Sequence, residues 1–213
     1  MAFSRKRTPA NRLDAELIEL EQRAETVVVP GADAPFFNAA GDLCLEAGLR
    51  DRALEYYGRA IDAYLNAERW EAAAAICRKI LRISPEAVRA RCTLAWLAIG
   101  KGFVAEATEH LSDYVEAARR AGRTEYAANQ LRRMGEVSDN GSLRLVLAEQ
   151  LLTLGADRAS DYLFGTVYQE RNRGGARDDE HPQNWNLIRR AALLGPRELR
   201  GGDSLAVSGA LLS

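Results

Sequence analysis

The stretch "AGDLCLEAGLRDRALEYYGRAIDAY", residues 40 to 64, decides the fold class. Its apolar side chains recur at i, i+3, i+4 and i+7 on either side of a short break at Gly48, the spacing of two amphipathic helices joined by a tight turn. Small residues, Gly41, Ala53 and Ala60, stand where bulky core residues are otherwise expected. Antiparallel helices packed about 8–10 Å apart need Gly or Ala where their ridges cross. A large neighbour such as Tyr57 then fills the adjoining hole.

Outward from this stretch the same period runs from about Pro35 to about Tyr168, and it predicts helices near 35–47, 51–67, 70–83, 86–100, 104–121, 124–137, 141–154 and 157–171. Gly48, Gly102, Gly122 and Gly155 sit where helices should stop, because glycine takes the left-handed C-terminal conformation without a Cβ clash. Ser84, followed by Pro85 and Glu86, reads as the start of the helix over 86–100. Gly48, Gly102 and Gly155 lie 54 and 53 residues apart, and alignment on them stacks Ala53 with Ala107 and Ser160, and Tyr57 with Leu111 and Phe164. In the first two copies the match extends to a third helix, pairing Cys77 with Leu131 and Ile80 with Met134. The repeating block is therefore three helices long. The third copy begins near Gly141, and its third helix reads as "NWNLIRRAALLG", 184–195, displaced by a polar insertion.

These residues resemble the tetratricopeptide repeat family, whose pattern is W-x2-L-G-x2-Y, then A-x3-F, then P. Phe37, Ala40, Gly41 and Cys44 stand at first-helix positions, and Ala53 and Tyr57 at second-helix positions. An overlapping copy uses Tyr57, Ala60, Ile61 and Tyr64, then Ala73 and Cys77, then Pro85; later copies are weaker, with Arg91 replacing the Trp, Ala95 the Gly and Ser160 the small Ala. The resemblance covers about two thirds of the chain. It implies an all-α fold, a right-handed superhelical α-solenoid of antiparallel helix pairs with eight to nine helices. Other three-helix solenoids, similar to vesicle-fusion adaptors, and an unrelated helical bundle are the alternatives.

Composition narrows the function classes. Twenty-nine basic and 30 acidic residues leave a net charge of −1, so no long-range field steers the molecule to nucleic acid or to an anionic membrane. Only Lys6, Lys79 and Lys101 are lysines, a bias read as base composition rather than as selection for bidentate anion contacts. The cysteines, Cys44, Cys77 and Cys92, lack C-x-x-C spacing and fall on apolar helical faces, which suits a reducing compartment. The longest apolar run, "AAAAIC" at 72–77, is far too short to cross a bilayer, and the basic start carries no apolar segment after it. A cytoplasmic protein is the expectation.

No phosphate-cradling, zinc-protease or serine-hydrolase motif occurs. His110, beside Glu106 and Asp113, reads as an exposed helix histidine, and His181, in "DDEHPQ", as part of a solvated charged loop. The basic cluster "SRKR" at 4–7 lacks interleaved aromatics and reads as a solubilising end. No catalytic set, cofactor or metal is expected.

The chain divides into an N-terminal arm, 1–33, with a short amphipathic helix at 12–25; a helical repeat domain, 34–171; a polar loop, 172–183; a terminal capping helix, 184–195; and a flexible tail, 196–213. Leu13, Leu17, Leu20 and Ala24 form a stripe of only two heptads, which favours docking as a cap over coiled-coil dimerisation. The resemblance implies that first helices line a concave groove. It places Asn38, Asp42 and Leu45 there from the first block, Arg89, Cys92 and Trp96 from the second, and Leu145, Glu149 and Leu152 from the third. Trp96 reads equally as an interface anchor and as a core residue. Some family members clamp a terminal carboxylate with Lys and Asn, but Asp42 would repel one; a peptide or amphipathic helix with an apolar stripe and basic residues fits better. The expected function is a non-enzymatic adaptor that binds a partner protein. The alternative is a self-assembling structural protein whose terminal helices dock into neighbouring molecules.

Overall fold

The structure, a computed structural model, describes residues 9–173. Among these residues it is all-helical, with no strand: α1 (Pro9–Thr26), α2 (Ala34–Glu46), α3 (Arg50–Asn66), α4 (Trp70–Ile83), α5 (Val88–Lys101), α6 (Val104–Arg120), α7 (Thr124–Val137), α8 (Gly141–Thr153) and α9 (Asp157–Arg173). Of the expected loop at 172–183, residues 172–173 belong to α9 instead; the rest of it, the capping helix at 184–195, the tail at 196–213, the "SRKR" cluster and His181 lie outside the described residues.

The helices fall in two compact units that divide after Ala90. In the first, α1 packs on α2, α2 on α3 and α3 on α4. Leu17, Cys44, Ala53, Tyr57, Ala60 and Cys77 form its interior. In the second, α6 packs on both α7 and α8, α7 on both α8 and α9, and α8 on α9. Leu111, Tyr114, Leu131, Met134, Leu147 and Leu151 are fully buried there. These neighbour contacts, joined in the second unit by contacts to the next helix but one, are the pattern of a helical repeat.

The block of three helices is written into the turns. Gly48, Gly102, Gly122 and Gly155 close tight turns with φ between 66° and 76°, in the left-handed region that glycine adopts freely. At three of them the chain makes the paired bonds of a Schellman end, with Leu49 N to Cys44 O at 2.8 Å, Arg123 N to Ala118 O at 2.8 Å and Ala156 N to Leu151 O at 2.9 Å. Glu68 closes the α3–α4 turn in the same way, with φ 57° and Arg69 N to Tyr64 O at 2.8 Å. It lies 54 residues before Gly122, its counterpart. The remaining turns are open: Ser84 and Ser138, also 54 residues apart, end α4 and α7 in non-helical conformations with φ −133° and φ −81°. Each of the first two blocks thus carries two tight turns and one open turn.

One boundary departs from the sequence reading. Ser84 does not start a helix at 86; it ends α4, and α5 begins at Val88. A residue before proline is pushed out of the helical region by the ring, which places the break at Ser84–Pro85. The stripe at 12–25 is a longer helix, α1, whose Leu17 and Ala24 are buried against its own chain. Gly31, with φ 77°, brings the α1–α2 loop onto the α3–α4 turn, so closely that a Cβ there would stand 2.4 Å from the Ala67 Cβ.

The small residues are where helices meet. A Cβ on Gly41 would lie 2.5 Å from Tyr57 Cε1, and one on Gly135 2.6 Å from Leu163 Cδ1. Ser160, which takes the place of Ala53 and Ala107, is fully buried and donates its hydroxyl to the Ala148 carbonyl at 2.8 Å. That bond satisfies the hydroxyl without widening the helix contact.

Candidate functional site

In the first unit α2 carries Asn38 and Asp42 one turn apart, with Gly41 between them. Because Gly41 has no side chain, the Tyr57 ring of α3 lies against it, and the phenol reaches past to donate to Asp42 Oδ1 at 2.5 Å. Lys79 enters from α4. Its ammonium donates to Asn38 Oδ1 at 2.9 Å, pairs with Asp42, and lies 4.6 Å from the centre of the Tyr57 ring. Burial, and then the hydrogen bond to Asp42, push the Tyr57 phenol far above its ordinary range, so it remains a donor. The first-helix acid is therefore held by two donors from the second and third helices.

α1 closes the other flank of α2. Arg52 pairs with Asp14 at 3.1 Å, Tyr56 donates to Glu21 at 2.9 Å, and Arg59 pairs with Glu21 at 3.0 Å while stacking 4.1 Å from the centre of the Phe37 ring. Between α1 and α2 runs an open channel of about 410 Å³, lined by Leu20, Ala39 and Leu43 together with Glu16, Glu19, Arg23 and Asp42. Within it Arg23 pairs with Glu19 at 3.0 Å and Arg12 with Glu16 at 2.9 Å, while Asp42 is paired with Lys79; the lining itself holds three acids and one base, each acid with a cation beside it.

The sequence-predicted lining residues separate on burial. Asn38 and Asp42 are half-buried and belong to the node just described; Leu45 is exposed at the far end of α2. Arg89 is exposed and pairs with Asp62 at 2.5 Å. In the second unit Cys92 is buried beside the Tyr114 hydroxyl, and Trp96, half-buried, donates its indole N–H to Gln130 Oε1 at 3.1 Å across to α7. Leu145 and Leu152 are buried, and Glu149 is half-buried. Asn38 and Asp42 are thus the two that come together, through Lys79, and of these Asp42 lines the channel.

All three thiols are buried, and burial pushes Cys44 and Cys92 above the usual thiol range, away from the nucleophilic thiolate. His110 is half-buried, 3.9 Å from Glu106. No three His, Cys, Asp or Glu side chains gather into a metal-binding group, and no helix is long and apolar enough to cross a membrane, among the described residues.

Sequence reasoning missed Lys79 and the α1 wall of the channel. A signal for the first existed: Lys79 is one of three lysines among 29 basic residues. A compact ammonium fits between an amide, a carboxylate and a ring face where a planar guanidinium would not. Compared with family models and with curated protein sequences, the chain matches none.

Proposed function

We propose that this protein is a non-enzymatic interaction scaffold of the tetratricopeptide kind, which holds a segment of a partner protein in the channel between α1 and α2. The observation that carries the reading is the mixture in that channel: accessible apolar side chains, Leu20, Ala39 and Leu43, set among Glu16, Glu19 and Asp42. An amphipathic helix or extended peptide with basic residues beside its apolar stripe complements both features. Such a segment binds near micromolar, about −8 kcal/mol. The three buried cysteines, none of them in a disulfide, suit a reducing compartment such as the cytoplasm.

Selection from a random peptide display library on the full chain tests this. Enrichment of sequences that combine Arg or Lys with an apolar stripe, lost when Ala39→Trp is the bait, is the expected result. Enrichment of acidic sequences, or equal enrichment on the Ala39→Trp variant, overturns the assignment.

A second reading, self-association, draws on Val28 and Val29, 94% and 67% exposed in the α1–α2 loop, and on Trp70, 47% exposed beside the turn against which Gly31 is packed. Exposed apolar side chains gathered at one end invite a second copy. Light scattering over a concentration series distinguishes the readings: a mass that falls to the monomer with Val29→Glu supports self-association, and a constant monomer mass in the unmodified protein argues against it.

A further inference from the structure

Asn140 is the one asparagine of eight that is followed by glycine. It is exposed, in the open turn of Ser138, Asp139 and Asn140 that joins α7 to α8. At the starts of α2, α3, α4, α6 and α7 no side chain caps the helix. At α8 Asn140 does, its Oδ1 accepting from Ser142 N at 2.9 Å and from Leu143 N at 3.2 Å. Its carbonyl takes the first bond of the helix, from Arg144 N at 3.0 Å, and its own N–H donates to the Ser138 hydroxyl at 3.3 Å. Leu143, whose amide is capped, is fully buried, so the cap fixes where the apolar face of α8 begins.

The same dipeptide carries a latent reaction. Glycine has no Cβ to obstruct its own nitrogen, so Gly141 N is free to approach the side-chain amide of Asn140. A bond forms between Gly141 N and Asn140 Cγ, the Cγ–Nδ2 bond breaks, and ammonia leaves with the proton that Gly141 N gives up. The product is a five-membered cyclic imide. Water then opens it: cleavage at Cγ gives aspartate, and cleavage at the original peptide carbonyl gives isoaspartate. Nothing is oxidised or reduced, and water is the only co-reactant. Backbone geometry sets the rate. The imide ring is nearly flat, so Gly141 N has to eclipse the Asn140 Cβ, which an L-residue allows only at strongly negative ψ. The cap holds Asn140 at ψ 111° and keeps its Oδ1 on two amides of the first turn. The reacting atoms therefore align only when the start of α8 opens.

We propose that Asn140 is a site of spontaneous deamidation, gated by its own cap, and that its two products act oppositely on α8. Aspartate keeps a side-chain acceptor at the cap and adds negative charge at the positive end of the helix. Isoaspartate routes the main chain through Cβ and Cγ. It lengthens the backbone by a methylene, removes the side-chain acceptor and displaces the carbonyl to which Arg144 N donates. The first turn of α8 is thereby released.

Trypsin yields residues 134–144 as a peptide whose sole asparagine is Asn140, so mass spectrometry follows the reaction during ageing of the full 213-residue chain in mildly alkaline buffer. Asn140 is expected to deamidate ahead of Asn11, Asn38, Asn66 and Asn129. Its rate in the folded chain is expected to be at least about tenfold below that of a synthetic 134–144 peptide, and to match the peptide in concentrated urea. Gly141→Ala places a Cβ 3.8 Å from Val167, an ordinary contact that keeps the fold, and is expected to slow the reaction at least about tenfold in chain and peptide alike. Deamidation at Asn140 no faster than at the other four overturns the site, and equal rates in folded chain and peptide overturn the gating. Hydrogen–deuterium exchange of the aged chain, read separately on its Asn, Asp and isoaspartyl forms with Asn140→Asp as reference, tests the consequence. Amides of 142–144 are expected to stay protected in the first two forms and to exchange at least about tenfold faster in the third. Equal protection in all three overturns the role assigned to the cap.

Discussion

Gly41 is the residue on which the first unit turns. Tyr57 lies against it, fully buried, and reaches Asp42 only because nothing occupies the space a Cβ would take. Gly41→Ala is expected to destabilise the protein by about 1–3 kcal/mol through overpacking, read as a lower midpoint in urea with an unchanged slope. Glu68 makes the opposite case. It holds a left-handed conformation at the turn position that Gly122 occupies one block later, so Glu68→Gly relieves strain and is expected to stabilise by about 1 kcal/mol. The Tyr57 phenol has a folded pKa raised above its unfolded value of about 10. For an acid raised in this way the folded state keeps a proton that the unfolded state loses above about pH 10, so the stabilisation is intact below that pH and declines as pH rises through it. Stability should therefore fall by up to about 1.4 kcal/mol per pH unit from this group alone, and Tyr57→Phe should remove that part of the slope in urea titrations between about pH 9 and 11. An unchanged slope contradicts the burial of this phenol.

Among elements, α1 stands outside the three-helix period and has the most consequence for the site. Two heptads identified a stripe, and Leu17 at its centre is fully buried. What the stripe could not convey is that α1 is anchored to α3 by Asp14 and Glu21 and forms one wall of the channel, because such pairs span 35 to 38 residues and leave no local periodicity. Leu17→Asp is expected to release α1, with rapid exchange of the amides in 11–25 and a loss of about 2–5 kcal/mol. Gly31→Ala should cost about 2–4 kcal/mol by combining a left-handed φ with a contact onto Ala67. Most helix boundaries were legible to within two or three residues, since glycine ends helices for a reason that acts locally. The start of α5 lies two residues later than the sequence reading placed it, because Pro85 acts on the conformation of Ser84 before it and that outweighed the capping reading.

At the scale of the whole molecule, the three-helix period was readable because burial repeats with it: Ala53, Ala107 and Ser160 are all fully buried, as are Cys77 and Leu131. The candidate site was less readable. Family-style placement put nine residues along one groove, yet Cys92, Leu145 and Leu152 are buried among other helices, and Asn38 with Asp42 is organised by Lys79, a residue 37 positions from Asp42. Period predicts which face of a helix is apolar; it does not predict which polar side chain crosses from a helix two elements away. The central claim is that the first unit presents an acidic, apolar channel that takes a basic segment of a partner. Isothermal titration calorimetry of a basic amphipathic peptide, selected on the unmodified chain, tests it most directly in three proteins: unmodified, Ala39→Trp and Val137→Ala, the last an exposed position on α7. The account predicts micromolar binding that weakens at least about tenfold with Ala39→Trp, is unchanged with Val137→Ala, and falls as salt rises. Equal affinity for all three proteins would contradict it.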